Sequence, residues 1–331
     1  MIDVPVRNET DIAIYENEIA RYLPSKIFDA HTHLCDEKFH PDLSTLVSVS
    51  KYPSLRNTDH SGLAKWWDML FPDAEVYGLA MGMPTAGCDI AGINDWIASE
   101  VYSNKRSRFS IFVSPEMPLD ELEEQVVRLK PAGLKPYMCF VDIPDSGNAS
   151  ICQIIPEHQV AIADKYGLSI TLHVAKPTGM ADSQNLEDIE RLTRKYRNCN
   201  FILAHCGRCF ITPYMQRAIA KLPKADNLWI DTSAVCDIGV FIELFRGFDL
   251  KKIIFGSDLV MASGFRGSYV RAGVGWDSII IDPNQESSNA TFLAYENLCA
   301  LFHAARFCGL GDNEFEDIFY NNAAGLFALG R

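Results

Sequence analysis

Lys26-Ile27-Phe28-Asp29-Ala30-His31-Thr32-His33 is an apolar run that ends in two imidazoles one residue apart. Alternate side chains of a strand share a face, so the spacing predicts both rings on one side of a strand that opens into a loop. Two imidazoles placed in this way are half of a metal site. Only eight His occur in the chain, and two more, His173 and His205, end apolar runs of the same kind.

Working outward, the same kind of run recurs at 27–34, 76–83, 109–114, 133–139, 168–174, 200–205, 227–232 and 252–257. Amphipathic stretches lie between them. In one, Leu119, Leu122, Val126 and Leu129 recur at helical intervals before Pro131; others span 156–166, 185–196, 213–222 and 237–245. Strands apolar throughout, each followed by a helix, predict a parallel sheet covered on its outer face. Eight such units over roughly 250 residues predict an α/β fold, a closed (β/α)8 TIM barrel. An open doubly wound sheet is the alternative, but no Gly-rich phosphate turn follows the first run. A helix at 8–23, stopped by Pro24, makes 1–24 an N-terminal helical extension, and 289–331 reads as C-terminal helices, a long one to 308 and one or two over 312–329. The whole chain, 1–331, reads as one barrel domain. Two connections are long, 35–74 with Trp66-Trp67 and 259–288 with four Gly, and both belong over the mouth of the barrel. Trp66 and Trp67 either lid the site or pack beneath the loop.

Net charge and cysteine use narrow the function classes. A formal charge of −13 argues against a nucleic-acid backbone or an anionic membrane as partner. The ten Cys are scattered without a CxxC pair, which predicts reduced, packed thiols in a cytoplasmic protein. No basic stretch followed by an apolar core opens the chain, and no apolar run is long enough to span a bilayer.

The C-terminal ends of barrel strands converge on one mouth. There the chain offers Asp29, His31 and His33 from the first run and Lys135 and Tyr137 from the fourth. His173 ends the fifth run, His205 and Arg208 the sixth, Asp231 and Ser233 the seventh, and Asp258 the eighth. With this order of residues, and with Ile318-Phe319-Tyr320-Asn321-Asn322-Ala323-Ala324 before a last helix, the chain resembles the amidohydrolase superfamily, in its amidohydrolase-related (type 2) branch, from about residue 26 to 329.

The resemblance implies one divalent metal ion, zinc above all, held by His31, His33, His173 and Asp258. Three neutral imidazoles and a carboxylate leave a position open for water or substrate. His205 and Asp258 are the catalytic candidates: Asp258 to take a proton, His205 to orient water or stabilise charge. In binuclear relatives the residue at the position of His205 binds a second metal instead, and a carboxylated Lys bridges the two. Lys135 is therefore open between substrate contact, such a bridge and a structural ion pair. Tyr137, Arg208 and Arg266 complete the substrate-binding candidates, the two Arg for carboxylate recognition. Asp29 is expected to bond backbone or support a ligand, and Asp231 to orient a histidine N–H or cap a helix.

Two reactions share these ligands. The first is hydrolysis of a small amide, lactone or other ester through a metal-activated water. The alternative is non-oxidative decarboxylation of a small aromatic or unsaturated acid. Cationic and aromatic groups around the metal favour the second; an unobstructed water beside Asp258 favours the first. A barrel that binds metal only for stability is the non-enzymatic alternative. The partner is a small molecule, with a homodimer implied by the resemblance.

Overall fold

The computed structural model describes residues 4–44, 46–102, 104, 107–260, 262–282 and 289–329. Parts of the predicted N-terminal extension (1–3), second long connection (261 and 283–288) and C-terminal helices (330–331) lie outside the described residues. Each of the eight apolar runs carries a strand: β1 (Lys26–Asp36), β2 (Glu75–Gly82), β3 (Arg108–Val113), β4 (Gly133–Pro136), β5 (Ser169–Leu172), β6 (Asn200–Leu203), β7 (Leu228–Asp231) and β8 (Ile253–Ile254). Neighbours in sequence are neighbours in the sheet, and all eight run parallel.

The ends meet. Ala30 N donates to Phe255 O at 2.9 Å, Asp258 N donates to His31 O at 2.8 Å, and Thr32 pairs in parallel with Leu259. These bonds close the sheet into the (β/α)8 barrel. Helices His60–Leu70, Ile90–Tyr102, Leu119–Leu129, Glu157–Tyr166, Ser183–Lys195, Thr212–Ile219, Ile238–Gly247 and Leu293–Cys308 lie between successive strands and after β8. No helix among the described residues is long and apolar enough to cross a membrane.

A register shift in β1 positions the site. Asp29 pairs with Gly78 and Thr32 with Ala80, so β1 has one extra residue against β2. A bulge of this kind exchanges the faces of the strand. Before it, Phe28 and Ala30 join Leu79, Ile202, Trp229 and Ile254 in one buried cluster. Ala323 and Phe327 of the C-terminal helices plug that cluster, with the Phe28 and Phe327 rings stacked at 5.3 Å. After the bulge, His31 and His33 take over the inward face.

The long connections are more ordered than the sequence reading expected. Within 35–74, Asn57–Thr58 adds a short antiparallel strand to the end of β1, and helix His60–Leu70 follows, its first turn capped by Asp59. Leu63, Trp66, Trp67 and Leu70 form that helix's buried face, so the two Trp pack beneath the connection and do not lid the mouth. The second connection carries a hairpin, β9 (Gly267–Ala272) and β10 (Gly275–Ile280). The N-terminal helix is broken: an α-helical start, Glu9–Ile14, widens to a π-helical turn, Tyr15–Ile19.

Candidate metal centre

His31, His33 and Asp258 bring their ligand atoms together in a buried cluster at the C-terminal end of the barrel. Asp258 Oδ1 lies 3.3 Å from His33 Nε2 and 3.6 Å from His31 Nε2. Tetrahedral ligands about 2.1 Å from a zinc ion stand about 3.4 Å apart, so the donor spacing fits such an ion. The second nitrogen of each ring is engaged. His33 Nδ1 is 2.6 Å from Gly82 O, and His31 Nδ1 is 2.9 Å from Asp231 Oδ2. Donation through Nδ1 leaves Nε2 with the lone pair that a ligand needs. Burial and the nearby Lys135 push His31 down to about 3, so it is a neutral imidazole.

His173, the fourth expected ligand, lies outside the converged donors. Its ring is 5.1 Å from that of His205 and 4.5 Å from that of Tyr137, and its Nδ1 is buried without a hydrogen-bond partner. Burial, with the Arg208 charge behind it, holds it neutral. An unpaired buried nitrogen costs about 1–3 kcal/mol, a cost that a partner at Nδ1 would remove.

Asp231 is the hub beneath the cluster. Its Oδ1 accepts from His205 N at 2.8 Å, Ser233 N at 3.1 Å and Ser233 Oγ at 2.5 Å, while Oδ2 faces His31. Burial alone would raise its pKa, but the hydrogen bond with His31, then the neighbouring His205 and Ser233, hold it well below the usual carboxylate range. Of the two roles open to it, the geometry gives Asp231 that of orienting a histidine N–H. Asp29 braces the opposite side. It accepts from Ser257 N at 2.8 Å, from Ser257 Oγ and from Trp67 Nε1 at 3.0 Å, and so fixes the residue before Asp258.

The chain is strained here. His205, Cys206, Gly207 and Arg208 have φ of 55°, 51°, 64° and 56°, a left-handed turn, and Ala234 and Asp258 lie in the same region. Each non-glycine residue so placed costs about 1–2 kcal/mol. Gly207 is required for a second reason: a Cβ there would meet Met180 Sδ at 2.5 Å. The turn carries His205 and Arg208 off the end of β6.

The remaining candidates divide. Lys135 is fully buried, with Nζ 3.2 Å from His31 Nε2, and burial, against the pull of Asp231 and Asp258, brings it down to about 8. Arg208 donates from Nη1 to Val174 O at 3.0 Å and keeps a buried, unpaired Nε. Tyr137 and Tyr269 are near enough that the charges of Asp258 and Arg208 bear on both, and burial first, then Asp258, raises both phenols. Phe210 stacks 5.9 Å from His205, with Trp276 at 4.2 Å and Tyr269 at 5.1 Å beyond it. Arg266 differs from its expected place at the mouth. Its Nη1 is 2.6 Å from the buried Asp11, and its guanidinium covers Phe292, so it ties the N-terminal helix to the hairpin's base. Phe210, Tyr269 and Trp276 were not singled out in the sequence, and Ser233 was placed at the mouth without a role. Ser233 carried a signal, two residues past Asp231 at a strand end, whereas the hairpin aromatics carried none.

A family model described as amidohydrolase matches residues 83–329. The chain belongs to the amidohydrolase family. The match begins after β1, so His31 and His33 join the matched part through the closing bonds of the barrel. A search of curated proteins finds no match. Among solved structures, 2,6-dihydroxybenzoate decarboxylase from Rhizobium is similar at a TM-score of 0.58 and 14% identity, over 93% of this chain and 100% of that one. A dihydroxybenzoic acid decarboxylase from Polaromonas sp. JS666, with bound manganese and 2-nitroresorcinol, gives 0.56 and 15% over 93% and 98%. The apo IDCase of Metarhizium anisopliae gives 0.60 and 11% over 92% and 98%. At these identities the likeness is one of fold. Family and donor set together make this an enzyme of the amidohydrolase superfamily with a site for a divalent metal.

Proposed function

We propose that the protein removes carbon dioxide, without oxidation, from a small aromatic carboxylic acid, at one divalent metal ion held by His31, His33, His173 and Asp258. The observation that carries this reading is the wall beside the donors. Arg208 has a buried, unpaired Nε there, its charge bears on the protonated phenols of Tyr137 and Tyr269, and Phe210 and Trp276 stack on each other nearby. A flat anionic acid matches that wall in charge and in shape. When bound, the metal supplies positive charge that holds the substrate carboxylate and draws electron density from the ring.

This chain's own residues would do the rest. Arg208 neutralises a substrate anion, and Tyr137 and Tyr269 offer hydroxyl donors while excluding water. The bond between ring carbon and carboxylate breaks, its electron pair stays on the ring, and a proton takes the place of carbon dioxide. His205 and Asp258, whose ring and carboxylate approach to 3.8 Å, are the groups placed to hold and move that proton. Hydrolysis of an amide, lactone or other ester, the first expectation from the sequence, would use the same ligands. It makes no use of a cation for a substrate anion or of a flat aromatic wall, and both are present beside Asp258. The relatives named as dihydroxybenzoate decarboxylases support the same choice. Zinc fits the donor set, and the manganese in the Polaromonas relative makes that ion the one to compare. A small-molecule substrate, no nucleic-acid or membrane partner, a cytoplasmic location and a homodimer belong to the same proposal.

The test is a panel of hydroxybenzoic acids, lactones and amides against zinc- and manganese-loaded protein, with carbon dioxide release followed directly. Release from an acid, lowered about 100-fold in kcat/KM by Arg208→Met as expected for a lost buried charge contact, is the expected result. Turnover of a lactone or amide with no carbon dioxide from any acid would overturn the reading.

A further inference from the structure

We infer that Ser233 is a positioning residue that locks His205 with its proton on Nδ1 and leaves the lone pair on Nε2. The inference rests on the reading above, in which His205 handles the proton, and assigns a role to a residue outside the expected site.

Ser233 lies two residues past the end of β7 and is fully buried. Its Oγ is 2.5 Å from Asp231 Oδ1, 2.8 Å from His205 Nδ1 and 3.3 Å from His31 Nδ1. A hydroxyl has one proton and two lone pairs to share among these three neighbours. An ionised carboxylate only accepts, and it is the nearest of the three. The hydroxyl proton therefore goes to Asp231, in a charge-assisted bond.

Ser233 Oγ can then only accept from the imidazoles. If His205 Nδ1 carried no proton, two lone pairs would face each other at 2.8 Å. So His205 carries a proton on Nδ1 and keeps its lone pair on Nε2. Among the described residues Nε2 has no hydrogen-bond partner. The backbone fixes the same pose from below, since His205 N donates to Asp231 Oδ1 at 2.8 Å inside the left-handed turn. One carboxylate thus sets two rings: His31 directly through Oδ2, as a metal ligand, and His205 through Ser233, as a proton carrier.

The experiment compares Ser233→Ala and Ser233→Thr with the unaltered full chain, all loaded with metal. Nitrogen NMR of ¹⁵N-histidine-labelled protein, with the His205 signals identified by their loss in His205→Gln, reads the tautomer without any substrate. The expected result is a protonated Nδ1 on His205, replaced by a mixture of tautomers in Ser233→Ala and restored in Ser233→Thr. Metal content stays at one per chain, while kcat falls about 10- to 100-fold in the Ala variant with KM nearly constant, a loss typical of a supporting hydrogen bond. His205 protonated on Nε2 alone, or an Ala variant with unaltered spectrum and kcat, overturns the inference. So does loss of metal in the Ala variant, which would mean that Ser233 acts through His31. If no acid is turned over, the decarboxylase reading fails while the spectrum still decides the tautomer.

Discussion

Replacing Asp231 by Asn tests whether the carboxylate under the barrel mouth controls metal binding. Asn keeps the size of the side chain but has one accepting oxygen where Asp has two. Three donors, His205 N, Ser233 N and Ser233 Oγ, compete for it on one side, and His31 Nδ1 on the other. The oxygen satisfies most by facing the three, which turns the amide NH2 towards His31. The His31 proton then moves to Nε2 and blocks the ligand lone pair. Binding metal would require it to return to Nδ1, against an amide donor at about 2.9 Å. Two donors left facing each other cost about 1–3 kcal/mol. This corresponds to roughly a 10- to 100-fold rise in Kd, at about 1.4 kcal/mol for each tenfold. Competition with a chromophoric chelator measures it directly. A Kd within twofold of the unaltered protein would refute the reasoning, because His31 would then need no carboxylate to present Nε2.

Three further outcomes follow from the packing. Gly256→Ala would place a Cβ 2.9 Å from His31 Cβ and 3.3 Å from Ser233 Cβ, both rooted in backbone, so stability should fall by about 1–3 kcal/mol and metal affinity with it; unfolding in urea and the same chelator assay check both. Arg266→Met leaves the buried Asp11 without its cation and should cost about 3–5 kcal/mol in stability while leaving metal occupancy unchanged; the reverse pattern, intact stability with lost occupancy, would return Arg266 to the site. All ten Cys are free thiols, and burial pushes Cys35 and Cys209 up to about 12, so both are held as thiols at pH 8. A thiol reagent at pH 8 should spare both in the native protein and reach all ten after unfolding.

The barrel was legible because its signal is local. A strand buried on both faces must be apolar along its buried length, and segments such as 201–204 and 228–230 meet that condition, so each predicted run overlaps a strand. The ends of those runs were equally legible, since the polar residues that follow the apolar stretch gather towards the C-terminal mouth. That is why the sequence marks His31, His33, His205 and Asp258, although β1 continues past both of its histidines to Asp36. Helix His60–Leu70 was legible too and was passed over: Leu63, Trp66, Trp67 and Leu70 have helical spacing behind Asp59.

The rest depended on pairings that no local pattern encodes. Arg266 meets Asp11 across 255 positions, and nothing in either neighbourhood marks the other. The extra residue in β1 is visible only against β2, yet without it His31 and His33 would share a face with Asp29, on the side of Trp67. Periodicity therefore gave the right pair of rings the right spacing for an incomplete reason: alternation holds from His31 to His33, but the bulge before them decides which side is inside. The left-handed turn at His205 is a similar case. Cys206 and Arg208 are ordinary residues in a conformation that costs them energy, and only the surrounding contacts, Met180 against Gly207 and Asp231 beneath His205 N, hold them there. Sequence patterns report what is locally favourable. The groups proposed to move a proton sit where the chain is locally unfavourable and held by distant residues, which is why their positions could be read from the strand ends and their orientation could not.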